Sequence, residues 1–213
     1  MEARPAGGAG GVENTLRGRD VYLRAVLPEE YEDLYLRETS GSGGPMGGLE
    51  GSTPGFEEWV RQTAAGSLAR FVILRSGDHR RLGMGSIFNA DLGNGHAHIA
   101  LSSFDATRPS PLVMMGAGLL IEHAFACWPF HKLYLDVAEY NLGRLGSGQG
   151  RLFEVEGTLR EHHFQAGRRW DHHILAVYRE GWQKYWSRRA ATVLEAAPGI
   201  PASAPEAAAG VAA

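Results

Sequence analysis

The chain changes hydrophobic period several times, and the changes mark its elements. Residues 20–27 (DVYLRAVL) alternate apolar and polar positions and carry Val and Tyr, which predicts a strand. Pro28 followed by Glu29 and Glu30 is a helix start, and Tyr31, Leu34 and Tyr35 recur at helical spacing behind it. A second helix is expected from Thr53-Pro54, with Phe56, Trp59 and Val60 on one face. Residues 71–75, 82–90 and 96–104 read as three strands of a meander, with turns at Ser76-Gly77-Asp78 and at 91–95 (DLGNG). Residues 111–128 are apolar on most sides, which predicts a long helix buried between layers. Residues 132–138 (KLYLDVA) form a strand. Residues 141–152 (NLGRLGSGQGRL) occupy the place of a helix but carry four glycines, each costing about 1 kcal/mol in a helix interior. Residues 158–164 and 170–178 read as paired strands, and 181–189 as a closing helix. Helices, a meander, a buried helix and further strands predict an α/β fold. Its sheet is mixed, mostly antiparallel and of about seven strands, with helices on both faces.

Composition narrows what such a domain can do. A chain of 213 residues can bury a proper core unaided, and its single cysteine, Cys127, excludes a disulfide framework or a Cys-rich zinc site. A net charge of −3 lacks the basic excess of a nucleic-acid binder. The longest apolar run, 112–121, ends at Glu122 and falls short of the roughly 20 residues that span a bilayer. The N-terminus lacks the basic-then-apolar order of a signal peptide, so a cytoplasmic protein without nucleic-acid or membrane partners is expected. Residues 1–14 and 190–213 are Gly/Ala- and Ala/Pro-rich, which predicts disordered tails around one domain at 15–189. The 29 glycines are about twice the usual share of ~7%. Six of them lie in 40–52 (SGSGGPMGGLEGS), which is expected to be a mobile loop.

Four stretches carry a family resemblance. They are Leu16-Arg17-Gly18-Arg19-Asp20-Val21-Tyr22-Leu23-Arg24; Leu82-Gly83-Met84-Gly85-Ser86; the strand that ends at Glu139-Tyr140-Asn141; and 153–161 (FEVEGTLRE) with Gly167, Trp170-Asp171 and Trp182. Their order and spacing resemble the GNAT superfamily of N-acyltransferases over residues 16–186. The nearest branch is the RimJ/RimL type, which acetylates amino groups including protein N-termini. The resemblance implies acetyl-CoA as co-substrate, with the pantetheine lying in a splay between two strands on main-chain groups of Ser102, Ser103 and Phe104. It places the pyrophosphate loop at 108–113, with Arg108 and the amides of Ser110, Leu112, Val113 and the neighbouring Met114 as the remaining donors. That loop is degenerate, because Pro111 stands where the family has a glycine and has no N–H to give. Gly116 and Gly118 come a turn too late for it. Asn141 is implied as a contact to the cofactor or to a water, and Arg144 stands where a serine often follows it. The position of the family's tyrosine acid is Gly148, and His98 stands where relatives often place a glutamate base.

Acyl transfer to an amine needs a neutral nucleophile, oxyanion donors and a proton for the leaving thiolate. His98 can serve as the base, since imidazole titrates near neutral pH. The alternative is a solvent-facing His96/His98 pair on one face of a strand, without the third ligand a metal site needs. His162-His163 and His172-His173 fall on paired strands, where they can form a histidine cluster near the acceptor mouth that serves as ligand or base, with one of each pair sent inward by alternation; the alternative is exposed hairpin polarity. Asp136 and Glu139 can serve a base or face solvent. Trp59, Trp170 and Tyr178 read as core, and Glu57, Glu58 and the Arg168-Arg169 turn as solvated. The reading is an N-acetyltransferase that takes a small-molecule amine or peptide N-terminus as acceptor. Its rivals are an acyltransferase served by an acyl carrier protein and a non-catalytic relative that kept the fold for binding. Which amine it takes stays open, as does pairing into a homodimer.

Overall fold

The computed structural model describes residues 15–39, 54–105, 110–148 and 152–194; the Gly-rich stretch 40–52, Arg108 and both expected tails up to residue 14 and from residue 195 lie outside the described residues. Strand β1 (Thr15–Arg17) leads to β2 (Val21–Ala25), a 3₁₀ turn (Pro28–Glu30) and helix α1 (Tyr31–Thr39). Helix α2 (Phe56–Gly66) precedes the meander β3 (Ser67–Arg75), β4 (Arg81–Asp91) and β5 (His96–Ser103). Helix α3 (Pro111–Cys127), strand β6 (Lys132–Ala138) and a 3₁₀ segment (Glu139–Gly148) follow. The hairpin β7 (Glu154–Gln165)/β8 (Arg168–Tyr178) and helices α4 (Arg179–Ser187) and α5 (Ala190–Val193) complete the order.

All eight strands join one sheet in the order β1-β2-β3-β4-β5-β6-β8-β7. The eighth strand beyond the expected seven is β1, which pairs antiparallel with β2 from Thr15↔Arg24 to Arg17↔Tyr22. Among the strands of the described residues only β5 and β6 run parallel, because α3 carries the chain back across the sheet between them. The glycines after Asn141 have the expected effect: the segment is 3₁₀ rather than α-helical. The C-terminal boundary moves outward. Residues 190–193 are helical, Leu194 bridges Gly18, and Arg19 N–H donates to Val193 O at 2.8 Å, so the ordered chain passes the expected edge at 189.

Helix α3 buries Val113, Leu119, Leu120, Ala124 and Phe125 against Val21, Ile73, Ile87, Ile99, Leu135, Val177 and the indoles of Trp182 and Trp186. It seats tightly because Gly116 has no side chain: a Cβ there would lie 2.6 Å from Ile73 Cγ2. Gly116 is thus a packing residue in the helix interior, away from the first turn where phosphate-binding glycines belong. Arg179 holds the far end of α3, donating to the carbonyls of Phe125 (2.5 Å), Trp128 (2.7 Å) and Phe130 (2.6 Å). On the opposite face Leu34 of α1 and Trp59 of α2 pack on Met84, with Phe104 at the margin. Trp170 and Tyr178, expected in the core, are half-exposed; their neighbours Leu175 and Val177 take the buried face. No helix of the described residues is long and apolar enough to cross a membrane.

Glu30 ties α1 to the sheet. Its carboxylate accepts from Arg24 at 2.7 and 3.0 Å and from Leu27 N–H at 2.9 Å. Burial pushes this carboxyl up, but the Arg24 hydrogen bonds, the Leu27 amide and nearby Arg81 outweigh it and hold it below the ordinary glutamate value. Glu30→Gln is therefore expected to destabilise the fold at neutral pH by about 2 kcal/mol, the worth of hydrogen bonds to a charged group. A depressed folded pKa stabilises above the unfolded value, and that contribution is lost as pH falls through the folded one. In denaturant titrations the deficit should be full at pH 7 and shrink below about pH 4, where the unfolded glutamate itself takes up a proton.

Candidate active site

β5 and β6 pair over three positions only, His96↔Lys132, Ala97↔Leu133 and His98↔Tyr134. Beyond them the strands part, while β4 stays paired to β5 as far as Ser103 and β8 to β6 as far as Ala138. The gap leaves backbone groups of residues 99–103 without a ladder partner on that side, and such groups seek donors or acceptors elsewhere. Phe104 N–H donates to Leu82 O at 2.9 Å, toward β4. Since successive amides of a strand point to alternate sides, those of Ser103 and Leu101 turn into the gap. Gly83 lets β4 approach this stretch closely: a Cβ there would lie 2.3 Å from Ser102 O.

A cavity of about 400 Å³ opens at the gap, walled by residues 99–102 of β5 and 135–137 of β6 and reached by Asn141, Arg144 and Leu145 of the 3₁₀ segment. Arg144 and Leu145 also line a cavity of about 80 Å³ with Ser103, Ser110 and Val113, and one of about 360 Å³ with Met114, Trp182, Tyr185 and Trp186. The three cavities thus meet at Arg144 and Leu145, and the two smaller ones border the start of α3. There Ser110 is the N-cap without a side-chain cap bond, and Met114 N–H closes onto its carbonyl at 3.2 Å. Pro111 has no N–H, so the first-turn amides left to face a ligand are those of Leu112 and Val113.

Asn141 is 5% exposed, and its Oδ1 has no hydrogen-bond partner among the described residues. A buried acceptor in that state costs about 1–3 kcal/mol, so it suits a ligand or water that brings an N–H or O–H to the cavity wall. On the α1/α2 side of the same cavity, Arg70 lies against the rings of Tyr31 and Trp59 with Glu38 Oε1 3.5 Å from Nη2. Glu38 Oε2 accepts from Trp59 Nε1 at 2.9 Å. Burial pulls the Arg70 guanidinium below its ordinary value against the pull of Glu38.

Alternation sends Ala97 and Ile99 into the α3 core and leaves His96, His98, Ala100 and Ser102 on the α1/α2 face. On β6 the same rule puts Asp136 on that face, between Leu135 and Val137. His98 Nδ1 lies 2.8 Å from Asp136 Oδ2, and His172 Nε2 of β8 lies 3.4 Å from Oδ1. The His98 hydrogen bond lowers the Asp136 carboxyl most; burial opposes it and His172 adds to it, so Asp136 titrates below the ordinary aspartate value. An ionised carboxylate only accepts, so Nδ1 of His98 carries a proton, and in the neutral imidazole Nε2 keeps the lone pair. A base held in this way is the arrangement that proton abstraction needs.

Of the residues expected from the sequence, Ser102, Asn141 and Arg144 line the main cavity, and Ser103, Ser110, Val113 and again Arg144 line the small one. Phe104 lies apart: its amide is taken by Leu82, and its ring faces Arg37 at 4.7 Å. Leu112 borders none of the cavities through its side chain and can contribute only its amide, while the Met114 amide is spent inside the helix. Arg108 lies outside the described residues. The sequence reading missed the coupling of Asp136 to His98, whose signal was their like position on neighbouring strands. It also missed Arg70 and Glu38, which gave none.

No protein-family model and no curated protein matches the sequence. Solved structures do match. A probable acetyltransferase of the GNAT family from Chromobacterium violaceum superposes with a TM-score of 0.61 at 20% identity, over 86% of this chain and 98% of that one. A GCN5-related N-acetyltransferase from Brucella melitensis gives 0.63 at 17% identity, over 83% and 84%. Spermidine N-acetyltransferase from Vibrio cholerae, in complex with CoA and spermine, gives 0.63 at 17% identity, over 77% and 98%. The chain has the fold of the GNAT N-acetyltransferases.

Proposed function

We propose that the chain is an N-acetyltransferase that moves an acetyl group from acetyl-CoA to a primary amine. The observation that carries the reading is the parting of β5 and β6 into a cavity walled on one side by Asp136, with His98 directly behind that carboxylate at 2.8 Å. The residues present fit the donor. The Leu101 and Ser103 amides face the gap, Asn141 Oδ1 offers an unused acceptor, and the Leu112 and Val113 amides at the positive end of α3 suit a phosphate. When bound, acetyl-CoA supplies the acyl group as an activated thioester. The acceptor approaches from the α1/α2 side, where Arg70 and Glu38 border the cavity. Its nitrogen forms the amide bond to the acyl carbon and sheds a proton to His98 Nε2, while the carbon–sulfur bond breaks and coenzyme A leaves as its thiolate, which takes its proton from water. Asp136 then faces an imidazolium, whose charge it balances at 2.8 Å.

Pro111 favours one variation. With a first-turn amide missing, the diphosphate of coenzyme A gains less here than on a glycine loop, and a carrier-protein donor, which lacks the adenosine diphosphate, loses nothing. The test is release of free thiol from acetyl-CoA in the presence of spermidine, amino acids, an aminosugar or peptides with free N-termini. Amine-dependent release with at least one class is expected. Acetyl-phosphopantetheine serving as well as acetyl-CoA would assign the donor to a carrier protein. No amine-dependent release from either donor would overturn the reading.

A further inference from the structure

Beyond the pair beside the cavity, the β7/β8 hairpin adds two more imidazoles to it. β7 and β8 pair at Leu159↔His172 and next at His163↔Trp170, so four steps along β7 span only two along β8. The extra residues form a bulge in which Glu161 takes φ +51° and its N–H is held by Asp171 Oδ1 at 2.8 Å. A positive φ at a glutamate is strained, and bulges commonly re-aim side chains beside functional sites. This one re-aims His163. Its Nε2 lies 2.7 Å from Nδ1 of His172, whose Nε2 faces Asp136. As alternation allows, one histidine of the 162–163 pair turns inward: His163 is half-buried and His162 stays exposed, its ring 5.4 Å from those of His163 and His172. His173 behaves as alternation demands and turns to Thr158 at 3.0 Å.

The polarity of this line follows from its one fixed acceptor. Asp136 can only accept, so a neutral His172 must present Nε2–H to it, which leaves its Nδ1 a lone pair. His163 must then donate through Nε2–H. The opposite tautomers would set a lone pair of His172 against the carboxylate. We infer that His172 and His163 are positioning residues for the base: delivered by the β7 bulge, they latch Asp136 from the side opposite His98 and so keep the proton of His98 on Nδ1. Asp136 has a side chain 37% exposed, so without the latch it can turn to water and release His98 to either tautomer. The inference rests on His98 being the base, but its direct readout does not require turnover.

The experiment is long-range proton–nitrogen NMR of the histidine rings in the full chain, paired with steady-state kinetics on the amine identified by thiol release. The unmodified chain is expected to show His98 protonated at Nδ1 and His172 at Nε2. In His172→Leu the His98 ring should divide between its two tautomers. The kcat should fall about tenfold, the usual loss on removing a supporting hydrogen-bond partner, with the KM for acetyl-CoA unchanged. His172→Gln, whose amide N–H can still reach Asp136, should keep most of the activity. His163→Phe, at a half-exposed position that leaves the core intact, should let His172 show an Nδ1–H population and reads the same latch if His172→Leu does not fold. A His98 ring still wholly Nδ1-protonated in His172→Leu, or a His172 protonated at Nδ1 in the unmodified chain, would overturn the inference. Absence of acetylation in the unmodified chain would instead strike the proposed function, and the ring tautomers would still decide whether the latch exists.

Discussion

His98→Ala is expected to lower kcat for amine acetylation by about 10²–10⁴-fold, the range that a positioned general base contributes. The KM for acetyl-CoA should stay within a factor of about two, because the proposed donor site is built from β5 amides, Asn141 and the start of α3 rather than from the imidazole. The fold should tolerate the change, since His98 lies on the half-exposed face of β5 and its neighbours Ala97 and Ile99 supply the buried side. Steady-state kinetics with thermal melts as a control checks both halves. Unchanged kcat would remove His98 as the base.

Asp136→Asn should be nearly as damaging. The asparagine keeps the shape, but it can turn an N–H toward Nδ1 of His98, which moves the ring proton to Nε2 and leaves no lone pair for the amine. It also removes the charge that balances the imidazolium. A loss of about 10²–10³-fold in kcat is expected, within the reach of one catalytic proton transfer. The double variant His98→Ala/Asp136→Asn should be no worse than His98→Ala alone, because the carboxylate acts through the imidazole. Additive losses in that cycle would mean that Asp136 touches the substrate on its own account.

Much of the fold was legible in the sequence because it rests on period. The alternation in 96–104 placed His96 and His98 on one face, and the all-round apolar stretch after Ser110 announced a helix buried between layers; both follow from side-chain geometry alone. The glycines between Asn141 and Leu152 announced a weak helix, and Glu139–Gly148 is 3₁₀. The Asp136–His98 pair was half legible: each residue's face could be read, but the parallel register His98↔Tyr134 that brings them together is a long-range property. The bulge between Leu159 and His163 was not legible, since Glu161 carries no mark of a left-handed backbone, and so the histidine cluster could be read but not its His163–His172 contact. Trp170 and Tyr178 misled because their strand is buried on the other face. Arg70 and Glu38 looked like ordinary charged residues; only the placement of α1 beside β3 brings them to the cavity.

The most direct test is a thermal-shift titration with acetyl-CoA. Binding to the native state alone raises stability with the logarithm of ligand concentration over Kd. The unmodified chain should therefore show a saturable onset followed by a logarithmic rise in Tm. The shift should vanish in Ser102→Trp, which fills the gap between β5 and β6. No shift at millimolar acetyl-CoA, or a shift that persists in Ser102→Trp, would contradict a donor site between the parted strands.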